Sequence, residues 1–360
     1  MIQEPPHVGC HVFNRRLVPR CARLVQFWCV LACLLAPMVS VSGADLSGSL
    51  KEGPRSAKTN AAQPFPAARF ILEPGDVVAF VGGADVEAAQ HGGHLEALLA
   101  VVNRGLNVRF RNFGWEGDTV HSQPRDVGFP PLKEHLRRAG VSVIALQFGR
   151  TEALGGRGGL AGFISDYQKL LGEFARQTPR LVLVTPPPFE NGDGWLPDLS
   201  ARNSDLAEYA DAIRNLARQR RLTLVDVFGE LGGATHREPR LTDDGLQLTP
   251  RGQAYVARAF ARQLGFGNVA DAAGVADEHG VWSNASFERL RQVVAAKNRL
   301  CFNYWRPQNW AFLGGDRTEQ PSSRDHRNPT IRWFPAEMEK FVPLIEEKER
   351  EIAELTAGLP

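Results

Sequence analysis

The chain has 360 residues, with 42 Lys and Arg against 40 Asp and Glu, and 43% of it is hydrophobic. That near balance of charge excludes the strongly basic surface expected of a nucleic-acid binder. Five cysteines in a chain this long exclude a dense disulfide framework, so the fold must rest on its own core.

Taken in order, the first 44 residues read as a signal peptide. Arg15, Arg16, Arg20 and Arg23 precede an apolar run from Leu24 to Val41, which gives way to Ser42, Gly43 and Ala44. A basic head, a short apolar core and small residues before the cut describe an export signal. The expectation is an exported protein, periplasmic or secreted, with no stable membrane span once the signal is removed. The alternative is a retained amino-terminal anchor, because an 18-residue apolar run is borderline for spanning. The net charge is +2, of which this segment holds +3, so the remainder carries −1. Four of the five cysteines also fall in it, leaving Cys301 alone and an intrachain disulfide impossible. Residues 45–66, rich in Ser, Gly, Pro and Lys, read as a flexible linker.

Beyond the linker, short apolar runs at 76–82, 107–113, 141–148, 180–185 and 222–228 read as strands buried on both faces. Amphipathic stretches at about 94–103, 129–139, 160–176, 203–220 and 250–264 read as the helices between them. That alternation implies an α/β domain over 67–267, with a parallel sheet covered on both sides. The first strand ends in Gly82-Gly83 before Ala84, which exposes a residue at the carboxyl edge of the sheet, where α/β folds bind ligands. Residues 268–360 form an extension. It comprises one or two helices at 268–300, a non-periodic stretch at 301–335 dense in Trp, Arg, Asn and Pro, and a terminal helix at 336–359. Aromatic content argues against disorder in 301–335. The terminal helix, with an apolar stripe at Phe341, Leu344, Ile345, Ile352 and Leu355, is expected to dock on the domain.

Four short blocks follow one another at strand ends or helix starts. They are Gly82-Gly83-Ala84, then Asn112-x-Gly114-x-x-Gly117-Asp118-Thr119, then Gly149-Arg150-Thr151-Glu152, then Asp244-x-x-Gln247. In order, spacing and context they resemble the conserved blocks of the SGNH/GDSL hydrolases over roughly residues 68–265. The resemblance implies a flavodoxin-like three-layer α/β/α fold with a five-stranded parallel sheet, and an ester hydrolase by descent. It also implies site positions: Ala84 where the family has its nucleophilic Ser, Thr151 where it has Asn, and Gln247 where it has His, with Asp244 ahead of it. Backbone donors at Ala84 and Gly117 would form the oxyanion hole.

Acyl transfer by this route needs a hydroxyl nucleophile and a base that titrates near neutrality. Ala84 has no hydroxyl, and Gln247 cannot accept and return a proton as histidine does. The ordinary serine mechanism is therefore not expected. The leading expectation is an exported protein that binds a small molecule, carbohydrate or acylated polymer in a retained cleft. The rival is an active hydrolase with rearranged groups, drawing on Asp85, Asp244 or a residue of 301–335. A scaffold meeting a partner protein through its terminal helix has the least support. Asp118 and Glu152 are expected to hold loop backbone, and Asp244 to cap or orient a neighbouring turn, in preference to dividing acid and base roles.

Candidate binding residues are Asp85, Asn112 and Glu152 at the sheet edge, and Trp305, Arg306, Asn309, Trp310 and Arg317 in the extension. The latter combine flat apolar faces with planar donors suited to sugar rings or an anionic polymer. The alternative, weighed evenly, is that these tryptophans cover the sheet's open side while the arginines pair with Asp316 and Asp325. His91, His94 and His121 are poorly spaced for zinc, and no metal site is expected. The run Gly156-x-Gly158-x-x-Ala161 mimics a dinucleotide fingerprint, but it lies too late after its strand. No cofactor is expected.

Overall fold

The sheet is parallel throughout and ordered β2-β1-β3-β4-β5. The computed structural model describes residues 63–360; the segment read as a signal peptide, and all but the end of the one read as a linker, lie outside them. The strands are β1 (Val77–Gly82), β2 (Arg109–Asn112), β3 (Val143–Gln147), β4 (Leu181–Val184) and β5 (Thr223–Val225). All five fall within the apolar runs read from the sequence, trimmed by a residue or more at their ends. The expected three-layer α/β/α architecture is what the chain adopts.

Between and after the strands come α1 (Ala84–Gly92), α2 (His94–Val102), α3 (Leu132–Arg138), α4 (Arg150–Ala153), α5 (Leu160–Ala175), α6 (Asn203–Arg220), α7 (Val227–Glu230) and α8 (Pro250–Gln263). The extension adds α9 (Gly267–Ala272), α10 (Ala285–Trp305), α11 (Trp310–Leu313), α12 (Trp333–Glu339) and α13 (Phe341–Ala357). Local chemistry sets several boundaries. Thr249 caps α8 through the Gly252 amide, with Pro250 at the first helical position, and Asn284 caps α10 through Ser286. Gly93, at φ 70°, breaks α1 from α2 in a left-handed turn that other residues adopt only at a cost. The glycine-rich run at 155–162 is a short 3₁₀ turn leading into α5.

Alternate residues of each strand serve opposite faces. Val77, Ala79, Val81, Ile144, Leu146, Leu181 and Leu183 pack with Leu136 of α3, Phe163, Tyr167 and Leu171 of α5, and Tyr209 and Ile213 of α6. Val78, Phe110, Val143, Ala145, Val182, Val184 and Val225 pack with Leu99 of α2 and Phe260 of α8. Each fully buried large side chain is worth about 1.5–3 kcal/mol, so two such layers specify the sheet register.

The extension forms a further helical layer. Phe287, Leu290, Val294 and Ile352 join Ala97, Leu98 and Val101 of α2 and Ala254 and Ala257 of α8 in a third apolar cluster. Ion pairs cross this boundary, two of them from the edge strand and α2. Fully buried Lys297 lies 2.6 Å from Glu96 of α2 and donates to the Phe110 carbonyl of β2. Arg111 of β2 reaches Glu349 of α13 at 2.6 Å. Such pairs fix orientation more than they stabilise, because removing charge from water offsets most of their attraction. The stretch at 301–335 is more regular than its composition predicts: Cys301–Trp305 complete α10, Trp310 opens α11 and Trp333 opens α12. Among the described residues no helix is long and apolar enough to cross a membrane.

Candidate active site

Strand order reverses between β1 and β3, and there the carboxyl ends of the two strands open a cleft, as expected of a doubly wound sheet. The cleft holds about 230 Å³ and is lined by three of the predicted blocks: Gly83 to Glu87, Gln147 to Glu152, and Leu246 to Leu248, with Glu116 at one side. Ala84, Thr151 and Gln247 are thus gathered on one exposed surface. Gly117 is exposed in the adjoining loop but does not line the cleft.

Each block is tied down by its own polar groups. Asn112 donates from Nδ2 to the Val86 carbonyl at 2.6 Å and accepts from the Gly114 amide at 2.8 Å, lacing the 112–119 loop to α1. Gly114 is required there, because a Cβ would meet the backbone of Glu87. Asp118 takes a bidentate pair from Arg125 at 2.6 and 2.8 Å; burial nonetheless raises its pKa. Glu152 accepts from the amides of Val120 and Gly149, both at 2.8 Å. Asp244 accepts from the amides of Leu246 and Gln247 through one oxygen, at 2.8 and 2.6 Å. The carboxylates of Glu152 and Asp244 therefore hold loop backbone, whereas that of Asp118 is taken by the Arg125 side chain. Asn112 has its side chain consumed by backbone and lies outside the cleft lining.

Asp85, in the first turn of α1, is paired with Arg150 at 2.7 Å. Arg150 is only 4% exposed, donates to the Pro188 carbonyl and lies over the Phe189 ring. Sequence reading passed over Arg150, the variable position of its block. The amides of Ala84 and Asp85, at the start of α1, have no place in the intrahelical ladder, which leaves donors at the cleft floor.

The loop carrying Asp244 hangs on a buried carboxylate. Glu190 accepts from the amides of Leu241 and Thr242 and from the Thr242 hydroxyl, and lies 2.8 Å from His236 Nε2. Burial favours the neutral acid, but these donors together hold the Glu190 carboxyl below its ordinary range. His236 faces acceptors on both ring nitrogens, Glu190 and the Leu231 carbonyl, and although burial opposes it, its pKa is raised.

The extension reaches the cleft beside the 112–119 loop. Arg306 bonds Glu116 at 2.7 Å and covers one side of Trp115, 3.7 Å from the ring centroid, while Arg125 approaches the same ring at 4.4 Å. Trp305 is 9% exposed and packs edge-to-face with Phe113, Trp115, Phe129 and His135. Trp310 packs on Phe129 and donates to the Val127 carbonyl. The idea of Trp305 as a stacking platform for sugar is corrected by this burial: its faces are already covered by protein rings. Asn309 is half-buried outside the cleft lining, and exposed Arg317 leans over Phe312. The arginines of the segment pair with Glu116 and Glu319, in place of the expected Asp316 and Asp325.

None of the three candidate histidines lines the cleft. His91 pairs with Glu87; His94 is buried against the Gly280 carbonyl, its pKa pushed down to about 4 by burial; His121 pairs with Asp166. One indole missed by sequence reading is open: Trp195 is 92% exposed. Its loop is laced to the Asp244 loop by the Glu190 amide to the Gly245 carbonyl, the Asp193 amide to the Asp243 carbonyl, and Arg240 to Asp193 and the Asn191 carbonyl. The available signal was a Trp set among turn residues, Asn191-Gly-Asp-Gly-Trp195, outside any apolar periodicity.

A five-stranded doubly wound sheet with these four blocks at its carboxyl edge defines the esterase-like α/β class. Residues 75–255 match the GDSL-like Lipase/Acylhydrolase family, and the chain belongs to that family. No curated protein matches the chain. Among solved structures, BT4096, a gut microbial diltiazem-metabolizing enzyme, aligns with a TM-score of 0.54 at 10% identity, covering 81% of this chain and 97% of that one. An acetylxylan esterase from Geobacillus stearothermophilus aligns at 0.42 and 17% identity, over 54% of this chain and 96% of its own. LAE5, an alpha/beta hydrolase enzyme from the metagenome of Lake Arreo, Spain, aligns at 0.43 and 17%, over 55% and 98%. At such identities the likeness is one of fold.

Proposed function

We propose that this is an exported member of the family that binds a carbohydrate or acylated polymer and has lost acyl-enzyme chemistry. One observation carries the reading: the cleft keeps its place and its loop anchors, yet no Ser, Cys or His is among the described residues lining it. Without the family's serine nucleophile and histidine base, the ordinary acyl-enzyme route is left with only residual acceleration from binding and oxyanion stabilisation. The carbohydrate part of the reading is supported by the exposed side-chain amide of Gln247 in the cleft and by the open face of Trp195 on the loop beside it.

The test uses the mature protein, the chain after residue 44. A fluorophosphonate probe is expected to leave it unlabelled, and p-nitrophenyl acetate and acetylated sugars are expected to hydrolyse no faster than in buffer. Retention on an acetylated-glycan column is expected. Hydrolysis above buffer that disappears in Asp244→Ala, or a trapped acyl adduct, overturns the reading in favour of a working hydrolase.

A further inference from the structure

A second pocket, outside the cleft, runs along the edge strand β2 where the extension covers it. It holds about 140 Å³, between β2 and α3 on one side and α10, α12 and α13 on the other. Its two ends differ. Strand β2 starts at Arg109 and α3 returns antiparallel to end at Arg138, so both arginines stand at the amino edge of the sheet. Pro130, Trp310 and Leu313 line the other end. From the extension, Met338, Val342 and Ile345 supply an apolar wall.

Four charged side chains line the pocket: Arg109, Arg111, Arg138 and Glu346. Arg111 is taken by Glu349 and the Phe110 carbonyl. Arg138 shares the one carboxylate of Glu134 with Arg137, which leaves a positive charge uncompensated there. Among the described residues the Arg109 side chain has no hydrogen bond or ion pair, although it is half-buried. Glu346 has no partner either, but it is exposed and so served by water. The helix α13 runs opposite to β2, because Glu349 meets Arg111 while the Leu359 carbonyl accepts from Arg104. Glu346 is about 4.5 Å along the helix on one side of the Arg111–Glu349 pair. Arg109 is about 6.6 Å along the strand on the other. The free cation and the free anion are therefore held apart. His135 and Cys301 add no charge at pH 7, since burial pushes the imidazole down to about 4 and the thiol up.

The amino-edge end thus carries excess positive charge, and a guanidinium without a partner matches a carboxylate through paired N–H donors. An apolar cavity of about 150 Å³ holds a benzene-sized molecule, so a single slender tail fits the remainder. We infer that this groove binds a small monocarboxylate with one unbranched apolar tail, its carboxylate at Arg109 beside Arg138 and its tail between α3 and the extension. The site is built from both the family domain and the extension, and it is independent of what the cleft holds.

The experiment titrates octanoate, 1-octanol and octylammonium, which share a tail and differ in head group, into the mature protein by calorimetry at pH 7. Octanoate is expected to bind at least tenfold more tightly than 1-octanol, and octylammonium more weakly than either. Arg109→Gln should bring octanoate down to the affinity of 1-octanol and leave 1-octanol unchanged. Val342→Phe, which fills the tail end of the groove, should weaken both at least tenfold with the melting temperature kept. Octanoate no tighter than 1-octanol or octylammonium in the unmodified protein, or no binding of any of the three, overturns the inference without recourse to a variant. So does octanoate affinity undiminished by Arg109→Gln in a folded protein.

Discussion

Arg150 Nη1 lies 2.7 Å from Asp85 Oδ1, so a largely buried ion pair joins the carboxyl ends of β3 and β1 at the point where strand order reverses. It sits beside Ala84, where the resemblance of the Gly82-Gly83-Ala84 block to the family places the nucleophile. Removing the cation strands a carboxylate that is itself mostly buried. Arg150→Met should therefore lower unfolding stability by about 3 kcal/mol, the low end for a broken buried pair. Urea denaturation measures this. A loss within experimental error of zero would mean that solvent or the α1 amides already satisfy Asp85.

Restoring chemistry is a matter of space as well as residue type. A Cβ built on Gly83 would lie 2.8 Å from the Asp118 carbonyl oxygen, which is backbone and cannot swing aside. The triple variant Ala84→Ser, Thr151→Asn, Gln247→His, with Gly83 kept, should hydrolyse p-nitrophenyl acetate about 10²-fold or more faster than the parent. Adding Gly83→Asp should reduce that gain and lower the melting temperature. A quadruple variant more active than the triple one would show that the 83–118 contact yields easily.

Two tryptophans should behave oppositely. Trp305 fills a cluster with Phe113, Trp115 and Phe129, so Trp305→Ala should cost about 3–5 kcal/mol. Trp195 touches little, and Trp195→Ala should change stability by no more than about 0.5 kcal/mol. Retention on an acetylated-glycan column should instead fall severalfold in Trp195→Ala. Retention unchanged by that substitution would remove the stacking role of Trp195.

The Glu190–His236 tie predicts a pH dependence for the loop that carries Asp244. Glu190 titrates below its ordinary 4.5, so its contribution is present above 4.5 and is lost as pH falls through the lower, folded value. His236 titrates above its ordinary 6.5, so its contribution is full below 6.5 and is lost as pH rises through the raised value. Both hold together between about 4.5 and 6.5. Amide exchange at Leu241 and Thr242, corrected for intrinsic rates, should be slowest in that window and faster on either side. His236→Gln should abolish the alkaline limb alone; an alkaline limb that persists would assign it to another group.

Much of this fold is legible in the amino-acid order. Apolar runs short enough for strands, separated by amphipathic stretches, dictate a parallel sheet because each element has one way to bury its face. The Gly82-Gly83-Ala84 ending and the spacing of Asn112 to Thr119 locate the carboxyl edge, and the absence of a hydroxyl at 84 and an imidazole at 247 is read directly. Periodicity also finds Phe163, Tyr167 and Leu171, since a helix face is a local property.

Only the tertiary structure decided which polar and aromatic groups are already spoken for. Trp195 and Trp305 are the same residue type in equally non-periodic surroundings, yet one is open and the other is covered by Phe113 and Phe129, almost two hundred residues earlier in the chain. Likewise Glu190 finds His236 and Thr242 only once β4 and the Asp244 loop are side by side. Burial and hydrogen-bond partnership are set by contacts distant in sequence, so residue type alone could nominate these side chains but could not say which of them were free to meet a ligand.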